Sequence, residues 1–460
     1  LYTAALSVYY DSSFCCRQAR TAFSIQYAFN TEMEENIMKT YQYPNSSKMM
    51  EKAKQFIPSG IPGHQGVASF MPLEHYPIFS DHAEGTYFWD VDGNKFLDFM
   101  CGYGPNILGY NDPDVNKAAM EQMKKEDCVS QPSTKMIELA ELLVNTIDTA
   151  DWAFFAKNGG DVTSLALLVA KAATGRQKIV LINHSYHGVA PWAQSPGAAD
   201  GMFNKEQEDL IYIDWNNVEQ LEQAIAENPG QIAGFISTPY YQPALMRNEL
   251  PAADYWSRVR DICTKNGIVL ILDDVRCGFR LDMAGSDRYY GFNADLVCMC
   301  KSLANGYNIS TLMGIESLKE ACEKVYFTGS YWLSAVPMAA SIACINKLKA
   351  MNAPERLLKL GKMYTDGLEK LAVRYGYRME VSAEPSLFYL FLLQDPAAQS
   401  WDLFGPDGEL HRAWIGENVR RGVFLTNYHN QFINCAMTED DIKFALEVAD
   451  EAFHAVKDRF

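Results

Sequence analysis

A chain of 460 residues exceeds the size at which a single hydrophobic core stops growing, so a large α/β domain with a second, smaller lobe is expected. With 48% hydrophobic and 21% charged residues, the composition excludes disordered, collagen-like and coiled-coil classes. A net charge of −17 repels phosphate backbones and anionic membranes, so neither nucleic acid nor a membrane is expected as a partner.

Residues 1–45 are read as an N-terminal arm of unclear role. Its first 30 residues are apolar and aromatic, but Asp11, Arg17 and Arg20 interrupt them in an order unlike a secretory signal. The stretch is an arm, a targeting remnant, or sequence upstream of a start at Met33 or Met38. Residues 46–114 form the N-terminal part of the small domain, where residues 85–93 predict a hairpin turning at Asp92-Gly93. Residues 115–345 alternate amphipathic stretches (134–145, 163–173, 218–228, 253–266) with apolar β-rich runs (152–156, 179–182, 233–236, 268–272, 296–300). That alternation predicts buried parallel strands in a doubly wound sheet. Residues 346–460 complete the small α+β domain, with strands at 387–391 and 422–425 and a final helix from Glu439. No window holds the 18 apolar residues of a membrane span. The 11 cysteines lack disulfide or zinc spacing; Cys15/Cys16 and Cys298/Cys300 have no accompanying histidines. A reducing cytoplasm without a bound metal is expected.

In open α/β sheets ligands gather beyond the carboxyl ends of the strands, and four such loops carry suggestive groups. Lys157-Asn-Gly-Gly-Asp-Val-Thr163 opens a helix with two glycines, as an anion cradle requires, although Asn-Gly-Gly alone equally describes a capped tight turn. Asn183-His-Ser-Tyr-His-Gly188 offers an aromatic ring and an imidazole. Asp273-Asp274 follows an apolar run, where burial is costly without a positive partner and a surface turn is the alternative. Lys301, at the end of another apolar run, is a candidate Schiff-base nucleophile, or else a snorkelling surface lysine. Together an anion cradle, a tyrosine, an aspartate and a lysine form the set a pyridoxal phosphate site needs.

Six ordered motifs support this: Trp89-Asp-Val-Asp-Gly-Asn94, Gly102-Tyr-Gly-Pro-Asn-Ile-Leu-Gly109, Asn158-Gly-Gly-Asp161, Tyr186-His-Gly188, Leu272-Asp-Asp-Val275 with Gly278-Phe-Arg280, and Lys301 with Leu303-Ala-Asn-Gly306. On them the chain, from Met49 to Phe453, resembles the class III pyridoxal-phosphate-dependent aminotransferases, in particular their glutamate-1-semialdehyde aminomutase-like branch. The resemblance implies a fold-type I enzyme in which Lys301 carries the cofactor as a Schiff base and Asp273 pairs with the pyridinium nitrogen. It also implies Tyr186 stacked on one ring face beside His187, and Val275 on the other. The phosphate would rest on the Gly159 to Val162 turn, through the amides of Gly160, Asp161 and Val162. A homodimer is implied as well, with a hydroxyl from the partner subunit, Ser330 in preference to Thr328, completing the phosphate site.

The chain departs from the family pattern in several places. Asp274 stands for the usual glutamate, and Asp161 replaces a hydroxyl and brings a carboxylate close to the phosphate. Leu303-Ala-Asn-Gly-Tyr307 replaces the aminomutases' glycine-rich run. The segment 237–242 has no acid where many members place one. His64, Tyr103, Arg247 and Asn430 are the candidates for gripping a substrate carboxylate; as alternatives, His64 caps a loop, Arg247 pairs with Glu249, and Tyr103 only lines the pocket. The expected activity is transfer of an amino group from an amine or amino acid, of the β- or ω-amino kind, to a keto acid. The alternatives are an aminomutase or epimerase on the same site, or a non-catalytic pyridoxal phosphate-binding regulator.

Overall fold

The small sheet forms first along the chain. The computed structural model describes residues 39–61, 75–194, 207–243, 246–398, 400 and 402–460, of which Tyr41–Phe460 form one compact unit. After the helix Pro44–Ala53, strands β1 (Ser80–Glu84), β2 (Tyr87–Asp90) and β3 (Lys95–Asp98) pair in antiparallel order. The expected turn is there: Gly93 takes φ +81°, and Asp90 Oδ1 accepts the N–H groups of Asp92 and Asn94 at 3.0 and 2.7 Å.

The central sheet contains β4 (Trp152–Ala156), β5 (Lys178–Ile182), β6 (Leu210–Ile213), β7 (Ile232–Ser237), β8 (Val269–Asp273), β9 (Leu296–Met299) and β10 (Ser310–Gly314), in the order β4-β10-β9-β8-β7-β5-β6. From β9 through β6 the pairing is parallel; β10 runs antiparallel to both neighbours. The expectation of parallel strands omitted β10. After Lys301 the chain makes one tight turn, too short for the helical crossover that parallel pairing demands, and returns. Every residue of β7 and β8 is buried. The helix Gly159–Thr174 covers the sheet with Val162, Leu165, Ala166, Val169 and Ala170, spaced three and four apart.

The third sheet joins β11 (Arg378–Ser382), β12 (Leu387–Leu393) and β14 (Gln431–Phe432), while β13 (Val423–Phe424) pairs in parallel with β3, so strands from both chain ends share a sheet. The expected boundary at 345/346 falls inside the continuous helix Ala335–Ala350, which packs on Pro113–Met123 and Thr134–Val144. That helix is almost entirely buried over its first half, which leaves no exposed linker at that point.

Candidate active site

Loops from the carboxyl ends of β4, β5, β7, β8 and β9 line one cavity of about 1000 Å³. β8 ends in Asp273, whose buried carboxylate is held from two sides. Its Oδ2 lies 2.7 Å from His187 Nδ1, and Oδ1 accepts the Val275 backbone N–H at 3.1 Å. His187 follows β5. Its carbonyl accepts Thr163 Oγ1 at 2.8 Å and its ring stacks on Trp192, so the loop is tied to the helix Gly159–Thr174. Its Nε2 is buried without a hydrogen-bond partner among the described residues.

Lys301 opens the single 3₁₀ turn Lys301–Leu303 at φ +33°, a left-handed backbone that L side chains adopt only under constraint. Ser302 Oγ, donating to Gly278 O at 2.7 Å, is one such constraint. Burial above all, and then the Arg276 cation, lowers the affinity of the Lys301 amine for its proton to a pKa of about 7. A neutral, nucleophilic amine is therefore abundant at physiological pH.

The glycine turn and the tyrosine loop meet with no room for side chains. A Cβ on Gly188, at φ +119°, would lie 2.7 Å from Gly160 Cα, and one on Gly159 would lie 3.0 Å from Val275 Cγ1. The helix start thus brings glycine backbone and the positive end of its dipole to the cavity, while the Asp161 N–H donates to Asn158 O at 3.1 Å within the turn. Asp161 does not oppose an anion there, because its carboxylate turns back to accept the N–H groups of Asn158 and Lys157 at 2.8 and 3.2 Å. Next to Asp273, Asp274 is fully buried, accepts both Ser286 N and Ser286 Oγ, and is pushed up to about 8, chiefly by burial.

Gly159, Gly160, Asp161, Tyr186, His187, Asp273, Val275 and Lys301 therefore line one cavity, joined by Tyr103 and Asn430. Tyr103 meets His429 edge-on at 5.2 Å, and Asn430 Oδ1 accepts Asn248 Nδ2 at 2.7 Å. Val162 points its side chain into the core, leaving only its backbone near the turn. Thr328 and Ser330 are exposed and outside the lining. Arg247 does not reach the cavity: its largely exposed guanidinium is drawn to Glu380 at 3.9 Å, not to Glu249. His64 lies outside the described residues. The sequence reading missed Arg276, Lys157 and Cys300, which also line the cavity. Each adjoins a residue of a motif the sequence did mark, Val275, Asn158 and Lys301, but adjacency does not tell which way a side chain turns.

A mainly parallel sheet bearing a desolvated lysine and a braced aspartate beside a glycine-started helix defines a fold-type I pyridoxal phosphate transferase. The chain belongs to the class III aminotransferases: the family described as "Aminotransferase class-III" matches residues 70–439. It is 35% identical over 408 residues to the aminopentol aminotransferase of Sphingopyxis macrogoltabida, covering 89% of this chain and 93% of that protein. It is 28% identical to the glutamate-1-semialdehyde 2,1-aminomutase of Nitrosopumilus maritimus, covering 90% of this chain and 100% of that protein. Among solved structures, the PLP internal aldimine form of the Sphingopyxis sp. MTA144 FumI protein superposes with a TM-score of 0.84 at 34% identity, covering 89% of this chain and 96% of that one.

Proposed function

We propose that the chain is a pyridoxal phosphate-dependent aminotransferase that takes the amino group of a β- or ω-amino compound or other amine and passes it to a keto acid. The observation that carries this reading is the pairing, in one cavity, of the desolvated Lys301 amine with the His187-braced Asp273 carboxylate. The residues fit the cofactor: the Gly160 amide and the positive end of the helix for the phosphate, Tyr186 and Val275 for the two ring faces, and Asp273 for the ring nitrogen. Bound pyridoxal phosphate supplies the carbonyl that exchanges amino groups and the ring that spreads the charge left when a substrate proton departs.

The chain's own groups do the rest. Asp273 holds a proton on the facing ring nitrogen, and the bond to His187 Nδ1 fixes its carboxylate for that task. Lys301 Nζ, neutral in a large fraction at physiological pH, accepts and returns the proton at the reacting carbon. Tyr186 and Val275 confine the ring plane, which is an orienting role.

The name of the aminopentol aminotransferase supports an amine donor other than an α-amino acid. The replacement of the aminomutase glycine run by Leu303-Ala-Asn-Gly-Tyr307 supports two half-reactions over intramolecular migration. A homodimer fits the exposed Thr328 and Ser330 outside the single-chain cavity. A large domain and a small one from both chain ends fit the shared β3/β13 sheet, with the second boundary moved beyond Ala350. No helix among the described residues is long and apolar enough to cross a membrane, and every described cysteine is a free thiol, which suits a reducing cytoplasm.

The test is the visible spectrum of the purified protein during addition of α-, β- and ω-amino compounds without a keto acid. A yellow band that fades with one donor class and returns with a keto acid establishes the reading. Sustained turnover without any keto acid would instead establish a mutase or epimerase, and a chain that never takes up the cofactor would remove the enzyme reading altogether.

A further inference from the structure

Arg276 is one of two cations in the cavity, with Lys157, that the cofactor chemistry leaves without a task. It follows β8, lines the cavity, and lies 5.6 Å over the Tyr186 ring. Its hydrogen bond to protein, from Nη1 to Gln242 O, is long at 3.5 Å. No carboxylate among the described residues forms an ion pair with it, and the Gln242 group it approaches is the neutral backbone carbonyl. Arg280, four residues on, shows what a structural arginine looks like here. It is fully buried, packs on Phe432 at 5.0 Å, and donates to Ile433 O and Gly104 O at 2.8 and 2.6 Å.

The charges of the lining point the same way. Its two acids are both engaged, Asp161 by its own loop amides and Asp273 by His187 and Val275. Its cations are Lys157, Arg276 and Lys301. In a chain of net charge −17 the lining, with Lys301 largely neutral, balances its two acids with Lys157 and Arg276, so the cavity is far less anionic than the chain as a whole. A partly desolvated guanidinium whose charged neighbour, Asp273, is already held by His187 and Val275 has donors to spare, and its rigid fork matches a planar carboxylate in two parallel hydrogen bonds.

We propose that Arg276 is the specificity-determining anchor for the carboxylate of the keto-acid partner. The inference rests on the aminotransferase reading for the word "partner" but not for the binding event. Arg276 holds the carboxylate by charge and hydrogen bonds, so the enzyme distinguishes an oxo acid from an uncharged ketone of the same shape. A donor amine without a carboxylate leaves the guanidinium to solvent and Tyr186, which lets one cavity alternate between an uncharged amine and an anionic acceptor.

The test uses the holoenzyme and its Arg276→Met and Arg276→Lys variants, with pyruvate and its uncharged analogue methyl pyruvate as probes. Calorimetric titration gives the Kd of each probe. Separately, enzyme loaded with pyridoxamine phosphate is mixed with each probe, and the half-saturating concentration and limiting rate are read from the returning absorbance. Arg276→Met is expected to weaken pyruvate roughly tenfold or more, in Kd and half-saturation, with a smaller change in limiting rate and none for methyl pyruvate. Arg276→Lys should recover part of the loss. Equal Kd values for pyruvate in wild type and Arg276→Met, or equal weakening of both probes, would overturn the anchor. So would release of pyridoxal phosphate by Arg276→Met, measured by dialysis, which would give the guanidinium to the cofactor phosphate. If wild type binds pyruvate through Arg276 but its pyridoxamine form reacts with no oxo acid, the anchor stands and the aminotransferase reading falls.

Discussion

Two carboxylates stand side by side at the end of β8, and their surroundings give them different work. Asp273 faces the cavity with a histidine behind it, whereas Asp274 faces Ser286, with Asp287 and Asp273 as its charged neighbours. The folded chain keeps the Asp274 proton from its ordinary value of 3.8 up to about 8, whereas the unfolded chain releases it above 3.8. This group therefore contributes its full stability below the lower value and loses it progressively as pH rises to the upper one. Asp274→Asn presents an amide that can donate to Ser286 Oγ and accept from Ser286 N. Its Tm is expected to decline less than that of wild type between acid and mildly alkaline pH; parallel declines would rule out Asp274 as the source. Lys301 provides the second titration. Because its amine is held near 7, capture of pyridoxal phosphate by the apoprotein, followed by absorbance, should accelerate through that pH and then level off. A rate still climbing toward 10.5, the ordinary lysine value, would show an amine that is not desolvated. Lys301→Ala should not form the covalent chromophore at any pH.

At the scale of elements, the site depends on a helix start and a loop pressed together so closely that only glycine fits at position 188. Gly188→Ala puts a Cβ 2.7 Å from Gly160 Cα at a φ of +119°, a backbone strain of about 1–3 kcal/mol before the clash is counted. Gly160→Ala meets nothing nearer than 3.6 Å. Gly188→Ala is thus expected to lower Tm by several degrees and to loosen pyridoxal phosphate in equilibrium dialysis, with Gly160→Ala milder on both counts. The reverse order would show that the two segments are not in contact. The same contact explains how much of the site was legible in the sequence. Asp273 and Lys301 were legible only as members of a set: each alone also suits a surface turn or a snorkelling lysine, and it was their joint occurrence with the glycine turn and Tyr186 after successive apolar runs that marked the site. Arg276 was not legible: the sequence cannot say whether an arginine beside a catalytic aspartate turns toward the cavity or, like Arg280, into the core. The turned-back carboxylate of Asp161 was equally hidden, since it depends on the geometry of a helix cap. Strand β10 escaped for a related reason, its direction being set by the length of the Lys301 turn, not by its own residues.

At the scale of the molecule, several large apolar side chains are exposed on segments that lead to the cavity. Met120, Met123, Val129 and Ile137 are 45–66% exposed on or beside the helices Pro113–Met123 and Thr134–Val144, and Tyr326 and Tyr331 are 91% and 70% exposed. These two regions touch: Ser334 Oγ donates to Asp127 Oδ1 at 2.6 Å, and Cys128 Sγ lies 3.5 Å from Ser330 O. Phe327, on the same segment, lines the cavity, so the patch begins where the site ends. Exposed aromatic and aliphatic side chains on adjoining segments suit an interface, and the proposed homodimer, with two-fold symmetry as the simplest closed assembly, would cover them. Sedimentation velocity is therefore expected to give twice the mass of the chain. Tyr331→Glu, which places a charge in the patch, should shift the equilibrium toward monomer. If, as proposed, Ser330 of one subunit completes the other's phosphate site, the monomer should also lose pyridoxal phosphate more readily. Ser330→Ala separates the two effects: it should leave the dimer intact and still weaken cofactor retention, with Thr328→Ala closer to wild type. A wild-type monomer that retains its cofactor fully would show that the cavity of one chain is complete, and the patch would then need another partner.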